Sequence, residues 1–406
     1  MKLDFRLPRR VRLVYFGRIG LGILRNYITE PSFAIYENPR ARLNVWVAFR
    51  MLLTGELSEL SYYRAFLRWT RPRFVVTMED NNITFFATKI LIPTCKTLVI
   101  QNGLRKSLSH TAVYSFQIEL QEAATRGYRA DIIATLGGMG NHFFEESFGQ
   151  CCPRLVKVGN VMNNALQLAN ATPVTDAPRI VFVSKFPNRG TVGIDDDWYS
   201  RTMIYSGKVG FTADQYFKVD LLVARACAVI AAEQSLQFVV LGKRPTWQKG
   251  EFDFFRQHLE GLVWQYLPSD NQASSYEAIR PNDIIVNVDS TIGYELFARG
   301  LKVGFIAARM KVAGHDDIRE FEFGHPLVPA STGPFWSDEA SESEIRRVVS
   351  FLTSVSERDW SSETRDLRQL LFTFDERNAV LCQELDSIGI PNTGPRLWER
   401  RLIPAN

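Results

Sequence analysis

Short apolar runs, each ending in a polar or glycine-rich turn, recur along this chain and constrain its fold more than any other feature. Residues 73–78 read as a strand ending at Glu79-Asp80-Asn81-Asn82, and residues 96–100 as one ending at Gln101-Asn102-Gly103. Residues 130–135 run into Gly137-Gly138-Met139-Gly140, and residues 155–158 into Gly159-Asn160. A Pro-, Thr- and Ala-rich stretch at 167–179 reads as a linker. The pattern resumes at 180–184, at 238–241 before Gly242-Lys243-Arg244, and at 284–288 and 303–307. Helices are expected over 43–69, 85–92, 215–233 and much of 341–386, the third opened by a Thr212/Gln215 capping box. Short apolar strands alternating with helices build parallel α/β sheets. Two such series predict an α/β fold of two Rossmann-like domains, at residues 1–170 and 178–350, with a helical segment over 351–406.

The 406 residues are 46% hydrophobic and 23% charged, as in an ordinary folded protein. A net charge of +4 is too mild to argue for nucleic acid. Its distribution is more telling, because residues 1–50 hold Arg6, Arg9, Arg10, Arg12, Arg18, Arg25, Arg40, Arg42 and Arg50. Such a face suits an anionic membrane surface, or simply water. No run approaches the ~18 apolar residues that span a bilayer, and Arg18 interrupts the apolar stretch at 13–24. There is no signal-peptide pattern. Five cysteines at irregular spacing make neither a disulfide framework nor a CxxC pattern, and the histidines lack zinc-site spacing. A cytoplasmic protein, with no metal and no cofactor, is expected.

In an open α/β sheet, ligands sit beyond the carboxyl ends of the strands. The segment IIVNVDSTIGYELFARGLKVGFIA, residues 284–307, reads as strand, polar turn, helix and strand. Ser290 and Thr291 would stand at a helix N-terminus, where free N–H groups favour a phosphate. Glu295, one turn on, would reach a sugar hydroxyl. The plainer reading makes Ser290 an N-cap and Glu295 a first-turn residue.

Within that segment, VNVDSTIGYELFARGLKVGF is similar to the nucleotide-binding segment of bacterial surface-polysaccharide (O-antigen) biosynthesis proteins. These resemble retaining β-Kdo transferases, which use CMP-Kdo and a variant of the two-domain GT-B fold. TMEDNN followed by VIQNGLR, GPFW at 333–336 and FDERN at 374–378 extend the resemblance over about residues 70 to 380. The first 40 residues have no counterpart. The resemblance implies a GT-B-like pair of domains facing a cleft. It implies a glycosyltransferase moving a sugar from a nucleotide donor, Kdo from CMP-Kdo, to a glycan or lipid-linked glycan acceptor. That places the protein in the cytoplasm, peripheral to the inner face of the plasma membrane.

For the donor, the resemblance implies Asp289, Ser290 and Thr291 at the phosphate and Glu295 at the ribose. Lys185, Lys243 and Arg244, which follow strands, would neutralise the departing phosphate in place of a metal, with Arg309 a weaker candidate. Asp195-Asp196-Asp197 contains a DxD-like pattern but lies in a long loop. On the acceptor side, Gln101 and Asn102 suit sugar hydroxyls. Gly103 suits close backbone approach or a positive φ, and Arg105 a bidentate grip on a sugar carboxylate. Glu79, Asp80 and Asn81 suit acceptor hydroxyls or a general base, although an Asn-rich turn explains them nearly as well.

Retention implies a carboxylate nucleophile. Asp214, expected at a helix N-terminus, is the first candidate and Asp197 the second. Glu145 and Glu146 are candidates for acid and base, against the reading of an exposed helix end. Two other functions compete: polyol-phosphate transfer from a CDP-alcohol, and a non-catalytic nucleotide-sugar-binding scaffold.

Overall fold

A computed structural model of the chain describes residues 2–6, 9–25, 27–105, 115–166, 177–186, 200–201, 203–206, 209–271, 274–315, 319, 322–392 and 394. The chain forms two compact units. The first comprises Met1–Arg105, Phe116–Ala165 and Asp375–Asn406, and the second Lys106–Ser115 and Leu166–Phe374.

The first unit is built on a six-stranded sheet. Its strands are β2 (Leu13–Phe16), β3 (Phe33–Tyr36), β5 (Phe74–Thr77), β6 (Lys96–Ile100), β7 (Ile132–Thr135) and β8 (Arg154–Lys157), in the order β3-β2-β5-β6-β7-β8. All neighbours are parallel. Two short strands, β1 (Lys2–Asp4) and β4 (Arg42–Asn44), pair separately. Every residue of LVYF in β2 and FVVT in β5 is buried, as expected of a parallel sheet covered on both faces.

Helices of eight residues or more in this unit begin with α1 (Val45–Leu52) and α2 (Glu59–Thr70). The expected single helix over 43–69 is thus two. Gly55, at φ +75°, turns the chain after α1, and the Ser58 hydroxyl caps α2 by accepting from the Ser61 N–H at 3.1 Å. Next come α3 (Ser115–Thr125) and α4 (Gly138–Phe148).

The second unit repeats the plan. Its strands are β9 (Arg179–Val183), β12 (Gln237–Leu241), β13 (Gln265–Leu267), β14 (Ile284–Asn287), β15 (Lys302–Ile306), β16 (Thr332–Gly333) and β17 (Trp336–Ser337), with a separate antiparallel pair, β10 (Met203–Ser206) and β11 (Val209–Thr212). The sheet order is β13-β12-β9-β14-β15-β17-β16, parallel except for the last pair. Helix α5 (Ala213–Glu233) packs on β9 and β12, and its Thr212/Gln215 capping box forms as expected. Its other described helices of eight residues or more are α6 (Lys249–His258), α7 (Thr291–Ala298), α8 (Glu342–Ser354) and α9 (Glu357–Leu371).

The helical C-terminus expected as one segment from residue 351 is divided. Helices α8 and α9 belong to the second unit, whereas α10 (Ala379–Ile388) belongs to the first. Two of the resembling motifs serve this framework. In FDERN, the buried Asn378 amide accepts from Asn164 Nδ2 at 2.9 Å and donates to the Val161 carbonyl and the Tyr27 hydroxyl. In GPFW, Phe335 packs among Phe297, Phe323 and Trp360, and Gly333 lies flat under the Trp336 ring, where any Cβ would overlap it.

Each sheet starts in its interior and grows first to one side, then to the other. The reversal falls between β2 and β5 in the first unit and between β9 and β14 in the second. The carboxyl ends flanking such a reversal splay apart and leave a crevice, the default ligand position of doubly wound sheets.

Candidate functional site

In the second unit, the crevice lies between the ends of β9 and β14, flanked by Lys185 and by the turn into α7. That turn is set by Asn287. Its side chain accepts from the Ser290 N–H and donates to the Ser290 carbonyl, both at 3.1 Å. Gly293 makes room for it: a Cβ there would come within 2.3 Å of the buried Asn287 amide. With Asn287 holding the turn, the Ser290 hydroxyl makes no capping bond although Ser290 is the N-cap of α7. Neither Ser290 nor Thr291 spends its hydroxyl on another described residue. Both are half-buried, so two hydroxyls and the first N–H groups of α7 face outward. A helix N-terminus in this state favours an anion.

Directly below lies a buried charge cluster. Arg309 grips Asp289 side-on, Nε to Oδ2 at 3.0 Å and Nη2 to Oδ1 at 3.1 Å. Its other terminal nitrogen reaches Asp220 Oδ2 at 2.8 Å and the Tyr216 carbonyl, and the guanidinium lies 3.9 Å over the Tyr216 ring. Lys185 Nζ stands 3.1 Å from Asp289 Oδ2. Desolvation works against the Lys185 ammonium, but the Asp289 carboxylate more than offsets it and pushes its pKa up to about 12. Burial raises the pKa of Asp220, and Arg309 opposes that rise. Asp289 and Arg309 were expected at the donor. Instead their side chains are completely buried and spent on each other. They brace the ends of β14 and β15 against α5. Glu295 is likewise 3% exposed and accepts from the Tyr276 hydroxyl, so it anchors α7 rather than facing a ribose.

The loop after β12 hangs on one carboxylate that sequence reading overlooked. Fully buried Glu251 accepts from the N–H groups of Lys243 and Arg244, at 2.9 and 2.8 Å, from the Tyr266 hydroxyl at 2.8 Å and from the Ser184 hydroxyl. Arg244 is buried and donates to the Phe186 carbonyl at 2.8 Å, so it supports the loop. Lys243 stays exposed. Partial desolvation, then the cations of Lys185 and Arg244, lower its pKa. Glu251 and Asp220 shared one readable signal: each is an acid on the apolar stripe of its helix, beside Phe254-Phe255 and Tyr216-Val219.

In the first unit, the crevice is flanked by Gly17-Arg18 after β2 and Glu79 after β5. Gly17, at φ +86°, leaves space that the Glu79 carboxylate fills, and Glu79 Oε1 accepts from the Arg18 N–H at 2.9 Å. Glu79 remains half-exposed, and Asn81 and Asn102 are exposed beside it in the chain ends of β5 and β6.

The neighbouring candidates are structural. Arg105, expected to hold a sugar carboxylate, holds Asp80 of its own chain bidentately, at 2.8 and 2.9 Å. Burial raises the Asp80 pKa, and Arg105 counters it. Gln101 is 2% exposed. Its amide accepts from the Leu136 N–H and donates to the Gly103 carbonyl, both at 2.9 Å, and lies against Gly140, where a Cβ would collide with it. Gly103 is absent from the positive-φ glycines and has no close neighbour that demands glycine.

Three catalytic candidates are not brought to either crevice. Asp214 does stand in the first turn of α5, but it is exposed and without a hydrogen-bond or ion-pair partner among the described residues. At roughly 100° per residue it lies on the opposite face from Tyr216, two positions on, which contacts the buried cluster. Glu145 and Glu146 close the C-terminal turn of α4, the end far from the β7 carboxyl edge. Glu146 pairs there with His142 at 3.2 Å. Asp195, Asp196 and Asp197 lie outside the described residues. Among the described residues, no three His, Cys, Asp or Glu side chains converge as metal ligands, and no helix is long and apolar enough to cross a membrane.

Solved structures similar to the chain include S. aureus MnaA in complex with UDP, at TM-score 0.50 and 10% identity, covering 93% of this chain and 96% of that one. The wall teichoic acid polymerase TagF aligns at TM-score 0.49 and 10% identity, over 93% of this chain and 89% of that chain. The UDP-GlcNAc 2-epimerase of Neisseria meningitidis, bound to UDP-GlcNAc, aligns at TM-score 0.45 and 13% identity, over 95% and 100%. The likeness to MnaA shows the fold, an α/β architecture of GT-B type. No curated protein matches the chain in sequence. A family model does match residues 98–387, from β6 through nearly all of α10, and by that match the chain belongs to the family described as "putative O-antigen biosynthesis protein".

Proposed function

We propose that the protein is a glycosyltransferase of bacterial surface-polysaccharide synthesis, taking its sugar from a nucleotide donor. The observation that carries this reading is the N-terminus of α7. Two hydroxyls without partners among the described residues, and the first N–H groups of a helix, stand at the carboxyl-end crevice of a doubly wound sheet. Exposed Lys243 after β12 and the part-exposed Lys185 ammonium add positive charge at neighbouring strand ends. Membership in an O-antigen family supplies the biological setting, and the similarly folded MnaA was solved with UDP bound.

In this reading Ser290 and Thr291 hold the donor phosphate, and Lys243 neutralises it as it leaves. Glu79 is the acid of the acceptor side, and Asn81 and Asn102 offer amides to sugar hydroxyls. CMP-Kdo is the first donor to try, on the strength of the VNVDSTIGYELFARGLKVGF resemblance. A retaining double displacement uses a carboxylate nucleophile, and Asp197 is the candidate left open by the placement of Asp214.

A thermal-shift series with CMP, CDP, UDP and GDP tests the nucleotide. Ligand at 100 times its dissociation constant stabilises by about 2.7 kcal/mol. A donor panel with a glycan acceptor then tests the chemistry. Glycerophosphate transfer from CDP-glycerol without sugar transfer would replace glycosyl transfer by polyol-phosphate transfer. Nucleotide binding without turnover on any acceptor would leave a binding scaffold.

A further inference from the structure

Helix α1 is inverted relative to an ordinary surface helix. Of its eight residues only Val47 is buried. Trp46, Phe49 and Leu53, at i, i+3 and i+7, form an exposed stripe, 45%, 56% and 73% accessible, with Leu52 beside it at 57%. The patch continues off the helix. The Trp46 indole donates to the Phe5 carbonyl at 2.8 Å, which sets the 67% exposed Phe5 next to it. Leu3 precedes it on β1, and Leu57 follows in the connection to α2; both are exposed. A contiguous apolar patch on this scale marks a surface that meets something.

Charge says what it meets. Lys2, Arg6, Arg9, Arg10 and Arg40 are exposed and have no ion-pair partner among the described residues. Arg40 lines a shallow recess with Leu43, Met51 and Leu57, so it belongs to the same face. Arg50 sits in the exposed stripe of α1, 5.6 Å over the Trp69 ring. Three of the nearby acids are paired, Asp4 and Glu37 with Arg42 and Glu56 with Arg64, which leaves Glu59 of the same recess as one acid against these cations. Exposed Trp, Phe and Leu surrounded by unpaired arginines is the composition of a helix lying in the interface of an anionic bilayer. The family model begins at residue 98 and does not reach this surface.

We propose that the α1 face is a membrane-docking surface that inserts Trp46, Phe49, Leu52 and Leu53 among the lipids of an anionic bilayer. The flanking cations hold it against the headgroups. The docking is independent of the donor chemistry and places this unit at the level of lipid headgroups.

Co-sedimentation of the full chain with phosphatidylcholine vesicles, with and without 30% phosphatidylglycerol, tests this with no nucleotide or acceptor present. Wild type should bind the anionic vesicles at least about tenfold more tightly than the neutral ones, and lose that preference in 0.5 M salt. Phe49→Glu/Leu53→Glu should weaken anionic-vesicle binding at least about tenfold while keeping the melting temperature and the nucleotide-induced thermal shift. A charge variant, Arg6→Gln/Arg10→Gln/Arg40→Gln, should lose the preference for anionic lipid. Brominated lipid should quench wild-type tryptophan fluorescence more than that of Trp46→Phe. No vesicle binding by wild type, or equal binding by the Phe49→Glu/Leu53→Glu variant, overturns the proposal. So does a dimer in sedimentation velocity that this variant dissociates, which would assign the face to a second copy of the chain.

Discussion

Asp289 and Arg309 meet inside the second unit as a fully buried bidentate pair, tying the end of β14 to the end of β15 beside the crevice between β9 and β14. The aspartate nearest the crevice is therefore part of its floor. Arg309 also spans to Asp220, so one cation pairs with two buried acids from different elements. Removing it leaves both carboxylates in the interior, with Lys185 beside Asp289. Arg309→Met should destabilise the protein by about 3–5 kcal/mol, read by urea denaturation. A loss under 1 kcal/mol would mean that the cluster is hydrated and weakly coupled.

Ser290 and Thr291 face the opposite situation, with hydroxyls that no other described residue uses. Ser290→Ala/Thr291→Ala should leave stability within about 0.5 kcal/mol. It should weaken nucleotide binding by about 3 kcal/mol, or roughly 100-fold, for two lost hydrogen bonds to a charged phosphate. Calorimetric titration checks this, and unchanged affinity in the folded variant would remove these residues from the donor site.

Gly293 is needed because Asn287 already occupies the space of its Cβ. Gly293→Ala should cost about 1–3 kcal/mol from overpacking and displace the turn that presents Ser290. Nucleotide affinity should fall along with the melting temperature. A stable Gly293→Ala protein with full affinity would show that the Asn287 turn does not position the site.

Lys185 couples stability to alkaline pH. Its pKa is raised from the ordinary 10.5 to about 12 by Asp289. Its contribution is therefore fully present below about 10.5 and is lost as pH rises through about 12. The stability difference between wild type and Lys185→Met should shrink by about 2 kcal/mol across that window. A difference that stays constant between pH 9 and pH 12 would place the ammonium outside the influence of Asp289.

Asp214 is exposed and directed away from the Tyr216 face of α5. Asp214→Asn should preserve turnover within about twofold, because surface substitutions away from a site change little. If sugar transfer proceeds with retention, intact-mass measurement after donor addition should show an adduct on wild type that Asp197→Asn removes. Loss of turnover in Asp214→Asn would reverse the order of the two.

Much of the fold was legible in local pattern. Strand β6 falls at residues 96–100 as expected, and β9, β12, β14 and β15 fall within a residue or so of the apolar runs that announced them. Strand β2 was hidden, because LVYF sits beside Arg18 and a second apolar stretch that together read as an interrupted segment. The capping box of α5 was readable because its two partners are three residues apart. The division of the C-terminal helices was not, because it depends on Asn378 finding Asn164, 214 positions away in sequence.

For the candidate site, the sequence by itself determined where the polar turns would lie, since a polar turn after an apolar strand must emerge at a carboxyl edge. It also singled out Ser290 and Thr291 at the head of a helix. Only the tertiary structure decided which polar residues remained available. Asp289, Glu295, Arg309, Arg244, Gln101 and Arg105 have the same chemistry as ligand-binding residues, but each is used up by a partner distant in sequence: Arg309 by Asp220 and Asp289, Glu295 by Tyr276, Arg244 by Phe186, Gln101 by Leu136, Arg105 by Asp80. Burying a charge or an amide requires such a partner, and pairing across 19 to 89 positions is a property of packing that no local motif encodes.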